Sequence, residues 1–541
     1  MKNIKYIALS LLTVGMMSCE NDTLNDLRDR GNEDNQPLPE LSVGDVDFSN
    51  YVAVGASFTA GYTDGALFVA SQQNSFPNIM ANKFALAGGG TFTQPLMNDN
   101  YGGLAVAGNR IQNPRLVFGG AGPVPLESVI GPVTVSTDIA TNNPTGPFNN
   151  LGIPGAKSYH LVAEGYGNLA NLSAGLANPY AVRVTGSTPD ASIAQLAAAQ
   201  NPSFFTLSEI GGNDVLGYAL SGGDGSNPIT PTALFGGALN ALVGALSANN
   251  TKGAIGNLPN ITSLSHFTTV PYNPLDPSNP AFGPQIPMLN GVFGALNPIF
   301  NAVDPSRAIV FSETEASPVV IKDESLADIS SIIIAQLNAS PTFPAFIAQF
   351  GLPAEAAPLV ANLLGNTYGQ SRQATADDLF VLPSSNVIGT VNTTNVAFLM
   401  GQGLPQALAG QFSIEGVTLP LEDKWALTPD EQAEIATATQ AYNASIEAAA
   451  NQANLALVDL NTILMEATSS GVQFDDYTLS TDLVFGGLVS LDGVHLTARG
   501  YALMANSFLK AIDAKYGTNF EASGNLAKAG DFPTNYAPTL Q

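Results

Sequence analysis

Four short segments of this chain carry residue types that could do chemistry together. The first is Gly55-Ala56-Ser57-Phe58-Thr59-Ala60-Gly61, at the end of the apolar run Tyr51-Val52-Ala53-Val54. A serine in a Gly-flanked turn from strand to helix is exposed, and its backbone N–H can point the same way as its Oγ. That suits a nucleophile that must also stabilise an oxyanion. By composition alone the pattern also fits a plain turn serine. The second segment is Asn150-Leu151-Gly152-Ile153-Pro154-Gly155-Ala156-Lys157. A glycine here lets a backbone N–H approach a substrate oxygen closely. It is not a phosphate loop, because Lys157 does not directly follow a glycine. The third is Gly211-Gly212-Asn213-Asp214. Asn213 offers an amide donor to a developing negative charge without titrating, and Asp214 reads as a turn or capping residue. The fourth is Asp492-Gly493-Val494-His495-Leu496-Thr497. A carboxylate three residues before a histidine can bond its Nδ1, which leaves Nε2 to take a proton from a serine. The other histidines, His160 and His266, have no acid partner close in sequence and read as structural or surface residues.

Taken together and in this order, the four segments resemble the SGNH hydrolases, also called GDSL esterases and lipases. That family is named for a Ser, a Gly, an Asn and a His in four separated blocks, which here are Ser57, Gly155, Asn213 and His495. The likeness covers mainly residues 48–62, 150–160, 203–218 and 455–515, and Asp492 to Met504 is its most specific part. Gly152 lies close to Gly155. Gly155 is preferred because Gly-Ala-Lys-Ser resembles the family's Gly-x-x-Ser/Thr leading into a helix. The sequence departs from the family at Ala56, where the family has Asp, and at Phe58, where it has Leu. The missing acid is outside the triad, so activity is expected to survive with a looser hydrogen bond behind the serine.

The resemblance implies a flavodoxin-like three-layer α/β/α fold with a mostly parallel sheet and large, partly helical insertions. It implies a carboxylesterase or lipase that acts on lipid or acyl esters through an acyl-enzyme. Ser57, Asp492 and His495 would be catalytic. The oxyanion hole would be the N–H groups of Ser57 and Gly155 and the Asn213 side chain. No metal or cofactor is implied, and no His-Glu motif stands at zinc spacing. Hydrolysis of glycan O-acetyl esters is the alternative within the family. A non-catalytic surface lipoprotein that binds lipid or glycan on an inherited hydrolase fold is the rival, with Ala56 its only hint.

These residues need elements to position them. The runs Tyr51–Val54, Phe204–Ile210 and Leu455–Leu460 suit buried strands. Thr428-Pro429-Asp430-Glu431 is a capping box with proline at the first helical position, and Ile435, Tyr442, Ile446 and Ala449 continue that helix on one face. Thr497 to Lys515 predicts a last helix, with Leu503, Phe508, Leu509 and Ile512 on its apolar side. Strands alternating with helices predict an α/β fold with a parallel sheet. The hydrolase core is expected over 48–271 and 426–541. A loop-rich insertion occupies about 62–150. A second, over 272–425, is rich in Pro, Gly and apolar residues, with a short amphipathic helix at Leu326, Ile329, Ile333 and Leu337. It is expected either as a lid over one end of the sheet or as a separately packed domain.

Composition bounds the partners. The chain has 541 residues, 18 Lys+Arg against 44 Asp+Glu, and only 11% charged residues. Such acidity argues against nucleic acid, which needs clustered Lys and Arg. One cysteine excludes an internal disulfide framework and a Cys-based zinc site. Lys2 and Lys5, the apolar stretch Ile7–Met17 and Ser18 precede that cysteine, Cys19. This resembles a bacterial lipoprotein signal over 1–18, with Met16 where Leu is usual and Cys19 the lipidated residue. Residues 19–47 then read as a flexible acidic tether. The expectation is a monomer in the bacterial envelope, anchored to the outer membrane through Cys19 alone. It would stand at the periplasmic face or the cell surface and meet a small-molecule or lipid ester substrate.

Overall fold

A computed structural model describes residues 37–541. The signal segment, Cys19 and the first part of the tether lie outside the described residues. Five strands form a central sheet: β1 (Tyr51–Gly55), β2 (Asn150–Gly152), β3 (Phe204–Ser208), β4 (Lys252–Gly256) and β5 (Ala456–Val458). Their order is β2-β1-β3-β4-β5, and every neighbouring pair is parallel. All residues of β1 and β3 are buried. That fits the rule that parallel strands are covered on both faces and so read as continuous apolar runs.

Six helices frame the sheet and its carboxyl edge: α1 (Ser57–Ala60), α2 (Phe76–Ala85), α3 (Gly212–Leu220), α4 (Thr232–Leu246), α5 (Pro429–Gln452) and α6 (Ala498–Tyr516). α4 packs on α5, α2 packs on α6, and α6 lies against β4 and β5. The arrangement is an α/β fold, compatible with three layers. α5 begins as its sequence predicts: Thr428 N–H donates to Glu431 Oε2 at 2.6 Å, and Ile435, Tyr442 and Ile446 are buried. α6 is capped by Thr497 Oγ1, which accepts from Gly500 N–H at 3.0 Å.

The structure differs from the sequence pattern in three places. β2 and β4 are strands that the pattern does not predict. β2 is three residues long, and β4 reads Lys-Gly-Ala-Ile-Gly, so neither has strand-like composition. Their neighbours in the sheet, rather than their own propensity, make them strands. The segment 62–150 is not only loops, since it supplies α2, whose Phe76, Ile79, Met80 and Phe84 enter the main core. The tether is shorter than 19–47. Asn519 Oδ1 accepts Ser42 N–H at 2.7 Å, and Val46 is buried, so the chain is docked before residue 47.

The 272–425 segment packs around its own apolar core, which extends from Val270 to Ala426 and includes Phe293, Phe300, Ile333 and Tyr368. Its helix Ser330–Ala339 buries Ile333 and Leu337, as the spacing predicts, but Leu326 and Ile329 of the expected face precede the helix. Trp425 packs against both this core and the main one.

Candidate active site

β1 ends where β3 is its neighbour on one side and β2 on the other, so the sheet offers a crevice at its carboxyl edge there. Ser57 opens α1 directly after β1, and Asn213 stands in the first turn of α3 after β3. The structure brings Ser57, Gly155, Asn213, Asp492 and His495 to the wall of one cleft. All five residues singled out in the sequence for the reaction therefore meet.

The Asp492–His495 loop is tightly held. His495 Nδ1 lies 2.9 Å from Asp492 Oδ2. Asp492 Oδ1 accepts the N–H groups of Val494 and His495 at 2.9 and 2.8 Å, and Gly65 N–H donates to Oδ2 at 2.8 Å. Burial alone would raise the Asp492 carboxyl. The His495 charge and these hydrogen bonds outweigh it and hold the group well below its ordinary value. Since a carboxylate accepts, Nδ1 is the donor in this pair, and Nε2 is the ring nitrogen it leaves unengaged. No hydrogen bond joins Ser57 to His495 in this state, and such bonds commonly tighten only when substrate binds.

The two glycines differ in their surroundings. A Cβ on Gly152 would lie 2.2 Å from Ala60 N, so Gly152 lets α1 sit directly on β2. Gly155 is exposed, has φ +78° and lines the cleft. Asn213 is held by one amide hydrogen, which bonds the Ala156 carbonyl at 2.9 Å and leaves the other free. Asp214 is buried and accepts Ser158 N–H and Oγ–H at 2.8 and 2.7 Å, so it joins two of the four segments and takes no place at the cleft wall.

Three groups at the site escape sequence reasoning. Glu209, after β3, accepts Ala56 N–H at 3.0 Å, Phe58 N–H at 2.9 Å, and Thr59 N–H and Oγ1–H at 3.0 and 2.9 Å. It thereby fixes the turn that presents Ser57. Burial pushes its carboxyl up to about 7, against those hydrogen bonds. Its signal in the sequence is an acid just before Gly211-Gly212, in a chain whose Ala56 lacks one. Asp64 is buried, accepts Leu491 N–H at 3.0 Å and is raised by burial to about 7. His266 is not the remote structural or surface residue that its sequence setting suggests. It borders the cleft, with Nδ1 3.2 Å from the Asp492 carbonyl oxygen. Burial lowers it, so it stands neutral there. Only folding brings it to Asp492, so sequence spacing cannot reveal it. His160 is structural as expected: it accepts Lys157 N–H and stacks on Tyr166.

A second cleft meets the first at Ser57, Asn213, Leu216 and Val494. Leu258, Ile261, Leu264, Ile463, Leu464 and Leu503 make it almost wholly apolar. No residue of 272–425 lines either cleft. Comparison with family models, with curated proteins and with solved structures returns no match.

Proposed function

We propose that this protein is a serine ester hydrolase of the SGNH type that cleaves esters of medium to long acyl chains. The observation that carries the reading is that Ser57 stands where two clefts join. One holds the Asp492–His495 pair, and the other is lined almost wholly by apolar side chains. In this reading the acyl chain lies along Leu258, Ile261 and Ile463, and the alcohol leaves through the open cleft. His495 Nε2 takes the Ser57 proton as Oγ attacks the acyl carbon. Asp492 keeps His495 in the right tautomer and stabilises its charged form. The oxyanion is met by the N–H groups of Ser57 and Gly155 and by the free amide hydrogen of Asn213. His495 then protonates the leaving alcohol, and water repeats the cycle on the acyl-enzyme. The same reading keeps Cys19 as the lipid anchor that places the enzyme in the bacterial envelope.

A chain-length series of p-nitrophenyl esters tests the substrate class. The expected kcat/KM rises from acetate to octanoate or longer, and Ile463→Trp, which fills the apolar cleft, shifts the preference back to acetate. A preference for acetate in the wild type, unchanged by that substitution, would contradict the acyl-chain assignment.

A further inference from the structure

Three carboxylates meet where the 270–426 unit joins the sheet domain. Glu324 follows the strand Val320–Lys322, Asp423 opens the short turn Asp423–Trp425, and Glu431 lies in the first turn of α5. One oxygen from each lies within 4.8 Å of the others. Among the described residues, no Lys or Arg forms an ion pair with any of the three. Lys424, the nearest in sequence, pairs with Glu422.

The Glu431 side chain is directed into this cluster and is only 5% exposed. Its Oε2 serves the start of α5 through Thr428 N–H and Oγ1–H. Its Oε1 is buried with no hydrogen-bond partner, and so is Asp423 Oδ1. Buried carboxylate oxygens are ordinarily hydrogen-bonded, ion-paired or bound to metal. The loop after α3 closes the remaining side. A Cβ on Gly223 would stand 2.1 Å from Glu431 Oε1, and one on Gly222 would stand 2.2 Å from the Asp423 carbonyl oxygen.

We propose that Glu324, Asp423 and Glu431 hold a hard divalent cation of the calcium class, which ties the 270–426 unit to the sheet domain. The donors are all oxygen, which suits calcium and not zinc. Calcium–oxygen distances of about 2.3–2.6 Å place ligand oxygens up to roughly 5 Å apart across the ion, which covers the spacing seen here. Backbone carbonyls and water complete such a shell. None of the three residues lines either cleft at Ser57, so the ion holds two parts of the molecule together and takes no part in ester cleavage.

The probe is terbium, a hard cation that occupies calcium sites. Trp425 is the chain's only tryptophan and lies two residues from Asp423, so it sensitises terbium luminescence only if the ion binds nearby. On the full folded chain, the expected result is a saturable signal with one ion per chain, displaced by calcium. Asp423→Asn combined with Glu431→Gln weakens it at least tenfold. Glu431→Gln keeps an acceptor for Thr428 N–H, so α5 can still start. The exposed Glu324→Gln is the second variant, chosen because it leaves folding least disturbed. Calcium at a hundredfold excess over its Kd should raise the wild-type Tm by roughly 2–4 °C and leave the double variant unmoved. Absence of a saturable signal, or a signal equal in all variants, would overturn the proposal and leave the carboxylates held by shared protons.

Discussion

Glu209 does at Ser57 what no neighbour in sequence could do. Ala56 leaves the serine without an adjacent acid, and Glu209 reaches from the end of β3 to accept four hydrogen bonds from Ala56, Phe58 and Thr59. Where a looser hydrogen bond is expected behind the serine, the structure has these four bonds to Glu209. Glu209→Gln turns an amide N–H₂ toward backbone N–H groups. It should lower kcat about 5- to 150-fold, the equivalent of leaving one buried donor unmet at ~1–3 kcal/mol. Steady-state kinetics would show KM nearly unchanged. Because the folded Glu209 carboxyl is raised from 4.5 to about 7, its contribution to stability is full below 4.5 and is lost as pH rises through 7. Urea titrations of Glu209→Gln should therefore lack the loss of stability across that window. Asp492 has the opposite sign. Its carboxyl is depressed below 3.8, so its contribution is present above that value and fades as pH falls further. Wild type and Asp492→Asn should differ in stability at neutral pH and converge in strong acid. Asp492→Asn should also lower kcat by roughly 10⁴ through loss of the correct His495 tautomer. The residues proposed to touch the reaction are readable in sequence because each sits in a short motif with its own chemistry. Glu209, Asp64 and His266 are not, because their partners lie far away in the chain.

At the scale of elements, the carboxyl edge of the sheet does the positioning. α1 can lie on β2 only because residue 152 has no side chain, since its Cβ would strike Ala60 N. Gly152→Ala should cost about 1–3 kcal/mol in chemical denaturation, the usual range for overpacking a buried site. It should also lower activity by shifting Ser57. Strands β1 and β3 and helices α5 and α6 are legible in the sequence, since each is strongly patterned and the two helices have their caps written in it. β2 and β4 are not, because a three-residue edge strand and a glycine-bearing inner strand are set by their neighbours.

At the scale of the whole molecule, the two largest apolar cores among the described residues share one chain. The 270–426 unit holds its own core and lines neither cleft at the serine. Phe293 is fully buried in that core, so Phe293→Ala should cost ~3–5 kcal/mol in the thermal unfolding of that unit. Ester hydrolysis at 25 °C should be unaffected. Composition reveals the insertion and its apolar character, but not whether its apolar residues face a substrate or each other. That choice is made by packing. In the proposed reaction, four chain segments, from Gly55 to Thr497, converge to activate one serine. Labelling of the intact chain with a fluorophosphonate, read by mass spectrometry, tests it most directly. The expected result is one adduct per chain on Ser57, none on Ser57→Ala, and strongly slowed labelling of His495→Ala. An unlabelled wild type, or equal labelling of Ser57→Ala, would contradict it.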